Sequence, residues 1–181
     1  MGLISLNAPV SLAVPVRALG FDKDKNFNLD LREEKGRINI QLTASHDSLY
    51  KNYVGLYQID DINGTVDGLK PSDGIKYTNA ALKRSIANVY KTEDRAVSIS
   101  AGALYAPYLI ANGTLEDFFA KNPTNAAANA SDPHAYFSFI GANPDGKDHI
   151  KSLGADKFGF EDMYGGGDND FNDAILQVKR V

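Results

Sequence analysis

The sequence has no cysteine and no tryptophan, and none of its apolar runs is long. Without cysteine, the chain can form neither a disulfide framework nor a thiolate metal site. The longest nearly apolar stretches, Val10–Val16 and Ala103–Ala111, are far shorter than the roughly 20 residues of a membrane-spanning helix. We therefore expect no membrane insertion. The N-terminal residues also lack the basic and apolar regions of a signal peptide.

A basic surface is missing as well. The formal net charge is −4, with 19 Lys and Arg against 23 Asp and Glu. The segment from Asp145 to Asp173 has eight acidic residues and three lysines, so it carries −5 while the remaining chain carries +1. Because nucleic-acid binding needs a positive surface facing the phosphates, we predict no nucleic-acid partner.

Length and composition indicate a single globular domain over residues 1–181, since 43% of the residues are apolar and can form a core. Apolar and polar residues alternate with period two in four segments, which is typical of half-buried strands. The residues between them are rich in Asn, Asp, Gly and Pro, which favour turns. We predict an all-β fold, a jelly-roll-like β-sandwich. The alternating segments are Phe27–Leu31, Ile38–Leu42, Tyr136–Ile140 and Ile175–Val178.

One or two short helices are expected beside the strands. Thr78–Val89 has apolar residues spaced for one face of a helix. Thr114 precedes Glu116 and Asp117, as an N-cap precedes acids in the first turn. The small, polar segment Asn122–Pro133 is interpreted as an exposed loop.

The most unusual segment runs from Phe158 to Asp173 and reads FGFEDMYGGGDNDFND. Three consecutive glycines allow a sharply bent loop, and Asp168, Asp170 and Asn172 follow at every second position. Crowded carboxylates repel one another, so a stable fold needs a compensating cation, and no lysine follows Lys157 within the segment. Oxygen donors without cysteine or a nearby histidine are typical of Ca²⁺ sites. A solvated acidic turn is the alternative interpretation.

Three further segments are rich in oxygen donors. Asp60–Asp67 and Asn143–Asp148 are either ordinary turns or part of the surroundings of further ions. Asp22–Glu33 has the spacing of an EF-hand calcium loop, but Phe27 replaces the glycine that makes its sharp turn. We therefore interpret that segment as a strand with a polar face.

Signals of catalysis are weak. His46, His134 and His149 are the three histidines, and none belongs to a metalloprotease motif or accompanies a recognisable nucleophile motif. Paired carboxylates can serve a glycosidase, but acids beside glycines fit calcium better. We predict that the protein is not an enzyme.

Most of the chain resembles a known bacterial family. The blocks that carry the resemblance are VGLYQIDDINGTV from Val54, YTNAAL from Tyr77, GALYAPYLIA from Gly102, AYFSFIGANPDG from Ala135, and then FGFED and GGGDNDFND. They are similar to a domain family of unknown function found in large exported bacterial proteins, including RTX adhesins. More narrowly, the chain resembles the calcium-dependent peptide-binding domain of such adhesins. The resemblance covers about Val54–Val181 and is less clear before Val54.

This resemblance implies a β-sandwich with several Ca²⁺ ions, some exposed enough to hold the terminal carboxylate of a ligand. Asp60 and Asp61 are added as metal ligands from their oxygen count alone. Ligand binding is assigned to Tyr164, Gly167, Asp168 and Asn169, and four aromatic residues are expected to wall a groove, Tyr164 being the most exposed. The implied calcium ligands are Glu161, Asp162, Asp168, Asp170 and Asp173, with Asp145 and Asp148 as neighbours, and the aromatic residues are Tyr136, Phe158, Phe160 and Tyr164.

The function that the resemblance implies is a calcium-dependent ligand-binding module of a large RTX-type adhesin. We expect a monomeric module of a longer chain at the bacterial cell surface, outside the cell, that binds peptide or protein C-termini on other cells in adhesion and biofilm formation. Three alternatives stay open. The ligand is a glycan held at the ion, calcium only rigidifies the domain, or paired acids act in a hydrolase.

Overall fold

The computed structural model describes residues 28–127, 131–154 and 156–181, which contain ten strands and two α-helices. Single 3-10 turns at Pro71–Asp73 and Ile140–Ala142 accompany them. The helices are α1 (Ile75–Lys83) and α2 (Leu115–Lys121). The strands are β1 (Leu29–Asp30), β2 (Arg37–Ser45), β3 (Tyr53–Ile59), β4 (Ser85–Tyr90), β5 (Asp94–Ser100), β6 (Leu104–Ala111), β7 (His134–Phe137), β8 (Ile150–Gly154), β9 (Lys157–Phe160) and β10 (Ala174–Arg180).

The strands form two antiparallel sheets. In sheet A the order is β1-β6-β3-β4, and β7 also pairs with β6; in sheet B the order is β5-β2-β10-β9-β8. In sheet B, Leu42 of β2 lies opposite Val178 of β10, and both side chains are buried. The predicted all-β sandwich with short helices is confirmed.

The main core lies between the two sheets. It contains Ile40 and Leu42 from sheet B together with Leu56 and Leu109 from sheet A. Alternation along β2 and β10 places one face of sheet B in this core, as their period-two pattern predicts. Each fully buried aliphatic side chain contributes about 1.5–3 kcal/mol relative to an exposed one.

A second core covers the other face of sheet A. Tyr57 and Phe137 of the sheet pack there with Tyr77 and Leu82 of α1 and with Phe118 of α2. Sheet A is therefore buried on both faces, and β6 is buried at all eight positions. A strand in this environment has no polar face, so its sequence shows no alternation.

The helix predicted over Thr78–Val89 is wrong in its extent. The structure has α1 over Ile75–Lys83 and then β4 over Ser85–Tyr90. Ala87 and Val89 are buried in the core between the sheets, because their period-two spacing points both to the same face of a strand.

The helix predicted after Thr114 is confirmed as α2. The Thr114 hydroxyl accepts a hydrogen bond from the Asp117 N–H at 3.0 Å, and the Asp117 carboxylate accepts one from the Thr114 N–H at 3.1 Å. This reciprocal pair is a capping box.

The segment Asn122–Pro133 is only partly the exposed loop that its composition suggests. Asn122 and Asn125 are buried, and the Asn125 side chain donates to the carbonyl of Ala135 and accepts from its N–H at 2.9 and 3.0 Å. These amides replace strand hydrogen bonds beside β7, so burial does not leave the backbone unpaired.

The N-terminal part of the acidic ladder, from Asp22 to Phe27, lies outside the described residues. Its continuation agrees with a strand, because Leu29 and Leu31 are buried and β1 pairs with β6. Among the described residues, neither α-helix has the length and apolar character to cross a membrane.

Candidate functional site

Three acidic side chains converge where β9 leads into the glycine loop. Glu161, Asp168 and Asp170 each offer one carboxylate oxygen, and the three oxygens lie within 4.8 Å of one another. We call these residues the acidic triad. Glu161 follows directly after β9, whereas Asp168 and Asp170 lie on the segment that returns to β10.

The returning segment has an unusual backbone. All three glycines, Gly165, Gly166 and Gly167, have positive φ angles, and so do Asn169 at 63° and Phe171 at 58°. Asparagine tolerates this region, but for a bulky residue such as Phe171 it is a rare conformation. Asx turns at Asp168 and Asp170, which accept from the N–H groups two residues later at 3.3 and 3.0 Å, tighten the segment further.

Glu161 is the buried member of the triad, with 0% of its surface exposed. Its Oε1 accepts a hydrogen bond from the Phe171 N–H at 2.6 Å. Its Oε2 is equally buried but has no hydrogen-bond partner among the described residues. An unsatisfied buried oxygen costs about 1–3 kcal/mol, and more when charged, so the site lacks a positive partner for Oε2.

The electrostatics of Glu161 point the same way. Burial raises the pKa of its carboxyl, and the nearby Asp168 and Asp170 carboxylates raise it further. The N–H groups of Phe171 and, more weakly, Asn169 act in the opposite direction. A carboxylate with this balance is stabilised in its charged form by a cation.

The donor set of the triad fits calcium. Ca²⁺ takes six to eight oxygen ligands, which include carboxylates, backbone carbonyls and waters. The triad supplies three carboxylates and no nitrogen or sulfur donor, and the unpartnered Oε2 of Glu161 is the oxygen that an ion would complete. Asp168 and Asp170 are exposed, so an ion held between them would keep coordination positions open to solvent or to a ligand.

Asp162 and Asp173 form a separate pair on the other side of the chain after β9. Successive side chains of an extended segment point in opposite directions, which turns Asp162 away from Glu161. Asp162 Oδ2 accepts from Ser48 Oγ at 2.6 Å and from Asn52 Nδ2 at 2.7 Å, and the Asp162 N–H donates to Asp173 Oδ2 at 3.0 Å. Burial raises the pKa of Asp173 to about 7, with the Asp162 and Glu161 carboxylates adding to the effect.

Asp145 connects the glycine loop to a buried histidine. Its Oδ2 accepts from the Gly165 N–H at 2.7 Å and lies 2.9 Å from Nε2 of His149. The other ring nitrogen of His149 donates to the Glu161 carbonyl at 2.8 Å, and its ring stacks on Tyr136 at 3.7 Å. Burial raises the pKa of Asp145, but the Gly165 N–H and His149 outweigh it and leave the pKa below its ordinary value.

The other predicted metal ligands are placed in local turns. Asp148 accepts from the Ile150 N–H at 3.2 Å. Asp61 accepts from the N–H groups of Asn63 and Thr65 at 2.8 and 3.2 Å, and Asp60 pairs with Arg84. None of these three carboxylates belongs to the triad, and their roles as ligands stay predictions.

Three of the four aromatic residues that were expected to line a groove are buried instead. Tyr136, Phe158 and Phe160 are buried in the core between the sheets, because β7 and β9 turn these side chains inward. Tyr164 is exposed at 46%, as predicted. Gly167 and Asn169 are exposed beside it.

Ser48 and Asn52, whose side chains donate hydrogen bonds to Asp162, were not predicted as part of the site. They lie 114 and 110 residues before it in the chain, and a lone Ser or Asn in a loop carries no local signal of such a contact. Only the pairing of β2 with β10, which brings the residues after Ser45 close to those before Ala174, predicts their approach.

Residues 99–180 match the model of a domain of unknown function, DUF4114. The match begins in β5, ends in β10, and includes the whole glycine loop and every member of the acidic triad. No curated protein matches the chain, and no solved structure does.

Proposed function

We propose that this chain is a calcium-dependent ligand-binding module and that the acidic triad is its central ion site. The observation that carries the proposal is the unpartnered Oε2 of Glu161, a buried carboxylate oxygen facing two exposed carboxylates. A hard cation such as Ca²⁺ supplies the missing partner and offsets the repulsion among the three acids.

The exposure of Asp168 and Asp170 supports a role of the triad in recognition as well as in stability. An ion between Glu161, Asp168 and Asp170 is held from one side by the protein, and its open positions face solvent. A carboxylate from a ligand can replace water there, since Ca²⁺ binds carboxylates readily. We propose that the ligand is a peptide or protein with a free C-terminal carboxylate, and that Tyr164 and Asn169 contact its last residues.

The resemblance of the sequence to adhesin domains suggests where this binding activity takes place. We propose an extracellular module at the bacterial cell surface, part of a longer RTX-type adhesin, that attaches the cell to peptide or protein termini on other cells. The proposal contains no catalytic step.

The first experiment is calorimetric calcium titration of the calcium-free protein, followed by binding to an array of short peptides. Each peptide is present as the free acid and as the C-terminal amide, alongside glycans, in Ca²⁺ and again in EDTA. We expect calcium-dependent capture of free acids and no capture of their amides. Capture of glycans alone would make the protein a lectin, and a lower melting temperature in EDTA without any capture would make calcium purely structural.

A double variant, Asp168→Asn with Asp170→Asn, tests the site itself. Glu33→Gln with Asp94→Asn is the matched control, since it removes the same charge from two other exposed acids. We expect the first variant to lose calcium-dependent capture and the control to retain it. Retained capture in the first variant would overturn the assignment of the ion site.

A further inference from the structure

A small pocket of about 70 Å³ lies next to the glycine loop, between the ends of the two sheets. One side is formed by residues at the end of β6 and the beginning of β7, and the other by the residues after β9. The loop between β2 and β3 contributes Tyr50. The residues that line it include Tyr50, Asp132, His134, Asp162, Met163 and Tyr164.

The charge of this pocket is negative. Asp132 and Asp162 line it, and none of the described lining residues is Lys or Arg. A neighbouring cavity of about 340 Å³ shares Tyr50, Asp162 and Met163 with it and adds Asp47 and Asp173. Asp132 and Asp162 lie on opposite sides of the pocket, and because no Lys or Arg among the described residues lines it, these two carboxylates give it a potential that attracts a cationic group.

Three of the eight residues that line the pocket are aromatic. Tyr50, His134 and Tyr164 contribute rings, and the ring centroids of His134 and Tyr164 are 6.1 Å apart. Aromatic faces attract organic cations, and together with a carboxylate they form the usual surroundings of a bound ammonium group. Met163 and Tyr164 are partly exposed at the mouth, so the pocket opens to solvent.

A buried hydroxyl behind the pocket lacks a partner. Tyr136 is fully buried, and its hydroxyl has no hydrogen-bond partner among the described residues. The Tyr136 ring stacks on the ring of His134, a residue that lines the pocket, with the ring centroids 6.1 Å apart.

We propose that this pocket binds an alkylammonium group. Its two carboxylates and its rings suit a cation on an apolar stem, and its small volume suits a compact ammonium better than a planar guanidinium. The occupant is the lysine side chain of the captured peptide, an identification that rests on the function proposed above. The chemistry of the pocket itself does not depend on calcium.

Methionine methyl labelling tests the pocket directly. The chain has two methionines, Met1 and Met163, so a protein labelled with ¹³C at the methionine methyl groups gives one signal from the pocket. Calcium-loaded protein is titrated with n-butylammonium, with 1-butanol as the neutral isostere and with n-butylguanidinium. We expect a saturable shift of the Met163 signal with a dissociation constant about tenfold lower for the ammonium than for the alcohol, a difference typical of a desolvated cation–aromatic contact.

Two variants separate binding from folding. Asp132→Asn should remove most of the preference for the ammonium over the alcohol, whereas Asp94→Asn, at an exposed acid on β5, should leave it unchanged. If Asp132→Asn unfolds, Tyr164→Leu at the exposed mouth gives a second test with the same expectation. Equal shifts with ammonium and alcohol in the unaltered protein, or tighter binding of the guanidinium, would overturn the proposal.

A peptide experiment distinguishes this inference from the proposed function. Free-acid hexapeptides carry lysine or the uncharged norleucine at each position in turn and are tested in Ca²⁺ and in EDTA. We expect lysine to be preferred at one position, only in Ca²⁺. Calcium-dependent capture of free acids without a lysine preference would contradict the assignment of the pocket to a lysine side chain and would leave the proposed function intact. A lysine preference that persists in EDTA and with amidated peptides would support the pocket and contradict capture through a carboxylate at the ion.

Discussion

A Cβ atom placed on Gly167 would lie 2.5 Å from Oε2 of Glu161, the one oxygen of that buried carboxylate without a partner. Gly167 also has a φ of 50°, a backbone angle that residues with a Cβ atom rarely adopt. The glycine therefore does two things. It permits the bend, and it leaves open the space next to the oxygen that we assign to the ion.

Gly167→Ala should weaken calcium binding. The added methyl group occupies the space beside Oε2, and the positive φ costs about 1–2 kcal/mol for a residue with a Cβ atom. We expect the calcium dissociation constant to rise about tenfold or more, equivalent to about 1.4 kcal/mol, as measured by calorimetry. Gly165→Ala is the control, because its φ is 88° and nothing lies within 4 Å of the added atom. If both variants lost calcium affinity equally, backbone strain alone would explain the loss, and the space beside Oε2 would not be needed for the ion.

The calcium-free protein should become less stable as the pH rises. The folded-state pKa of Asp173 is about 7, against an ordinary value of 3.8. The folded protein therefore holds a proton that the unfolded chain releases, and its stability falls between these two values as the pH increases. The raised pKa of Glu161 acts in the same direction.

Thermal unfolding without calcium, at about pH 5.5 and about pH 8, measures this effect. We expect a lower melting temperature at the higher pH and a smaller difference in Asp173→Asn, whose side-chain oxygen can still accept from the Asp162 N–H. A melting temperature that rises with pH in the unaltered protein would contradict the assigned direction.

Asp60→Asn and Asp61→Asn should leave calcium stoichiometry unchanged. Their oxygens are already used by Arg84, the Asp67 N–H, and the Asn63–Thr65 turn. We expect each variant to lower the melting temperature slightly, because a turn contact is weakened. Loss of a bound ion in calorimetric titration of either variant would instead support the prediction, made from oxygen count, that these residues are calcium ligands.

Thr114→Ala should destabilise the protein without affecting the ion site. The Thr114 hydroxyl caps α2, and loss of such a cap costs about 1 kcal/mol. Chemical denaturation measures the change, and Thr114→Ser, which keeps the hydroxyl, should recover most of it. A clear change in calcium affinity would contradict this expectation and would mean that α2 influences the glycine loop. The described side-chain hydrogen bonds of Thr114 are all made with Asp117.

The sequence predicts the parts of this fold that have one buried face. Ile38, Ile40 and Leu42 alternate with polar residues because sheet B faces the core on one side only. The extent of α1 was not predictable in the same way, because Ile86 and Val89 fit a helical face as well as a strand. Contacts within the sheets decide between the two, and β4 pairs with β3 along its length.

The candidate site likewise contains residues that the sequence predicts and residues that it does not. Glu161, Asp168 and Asp170 were predictable, since a glycine loop brings nearby carboxylates together along the chain. Ser48 and Asn52, which donate to Asp162, and Tyr50, which lines the pocket with it, were not predictable, because strand pairing between distant parts of the sequence brings them there. The burial of Tyr136 depends likewise on the packing of β7 against β6.

The pocket beside the glycine loop is bounded by Asn112 and His134 of the sheet A side and by Asp162 and Met163 of the sheet B side. A ligand bound there would contact both layers of the sandwich. The pocket would keep its shape only while the two sheets stay packed together, so ligand binding would depend on the same apolar core that folds the domain.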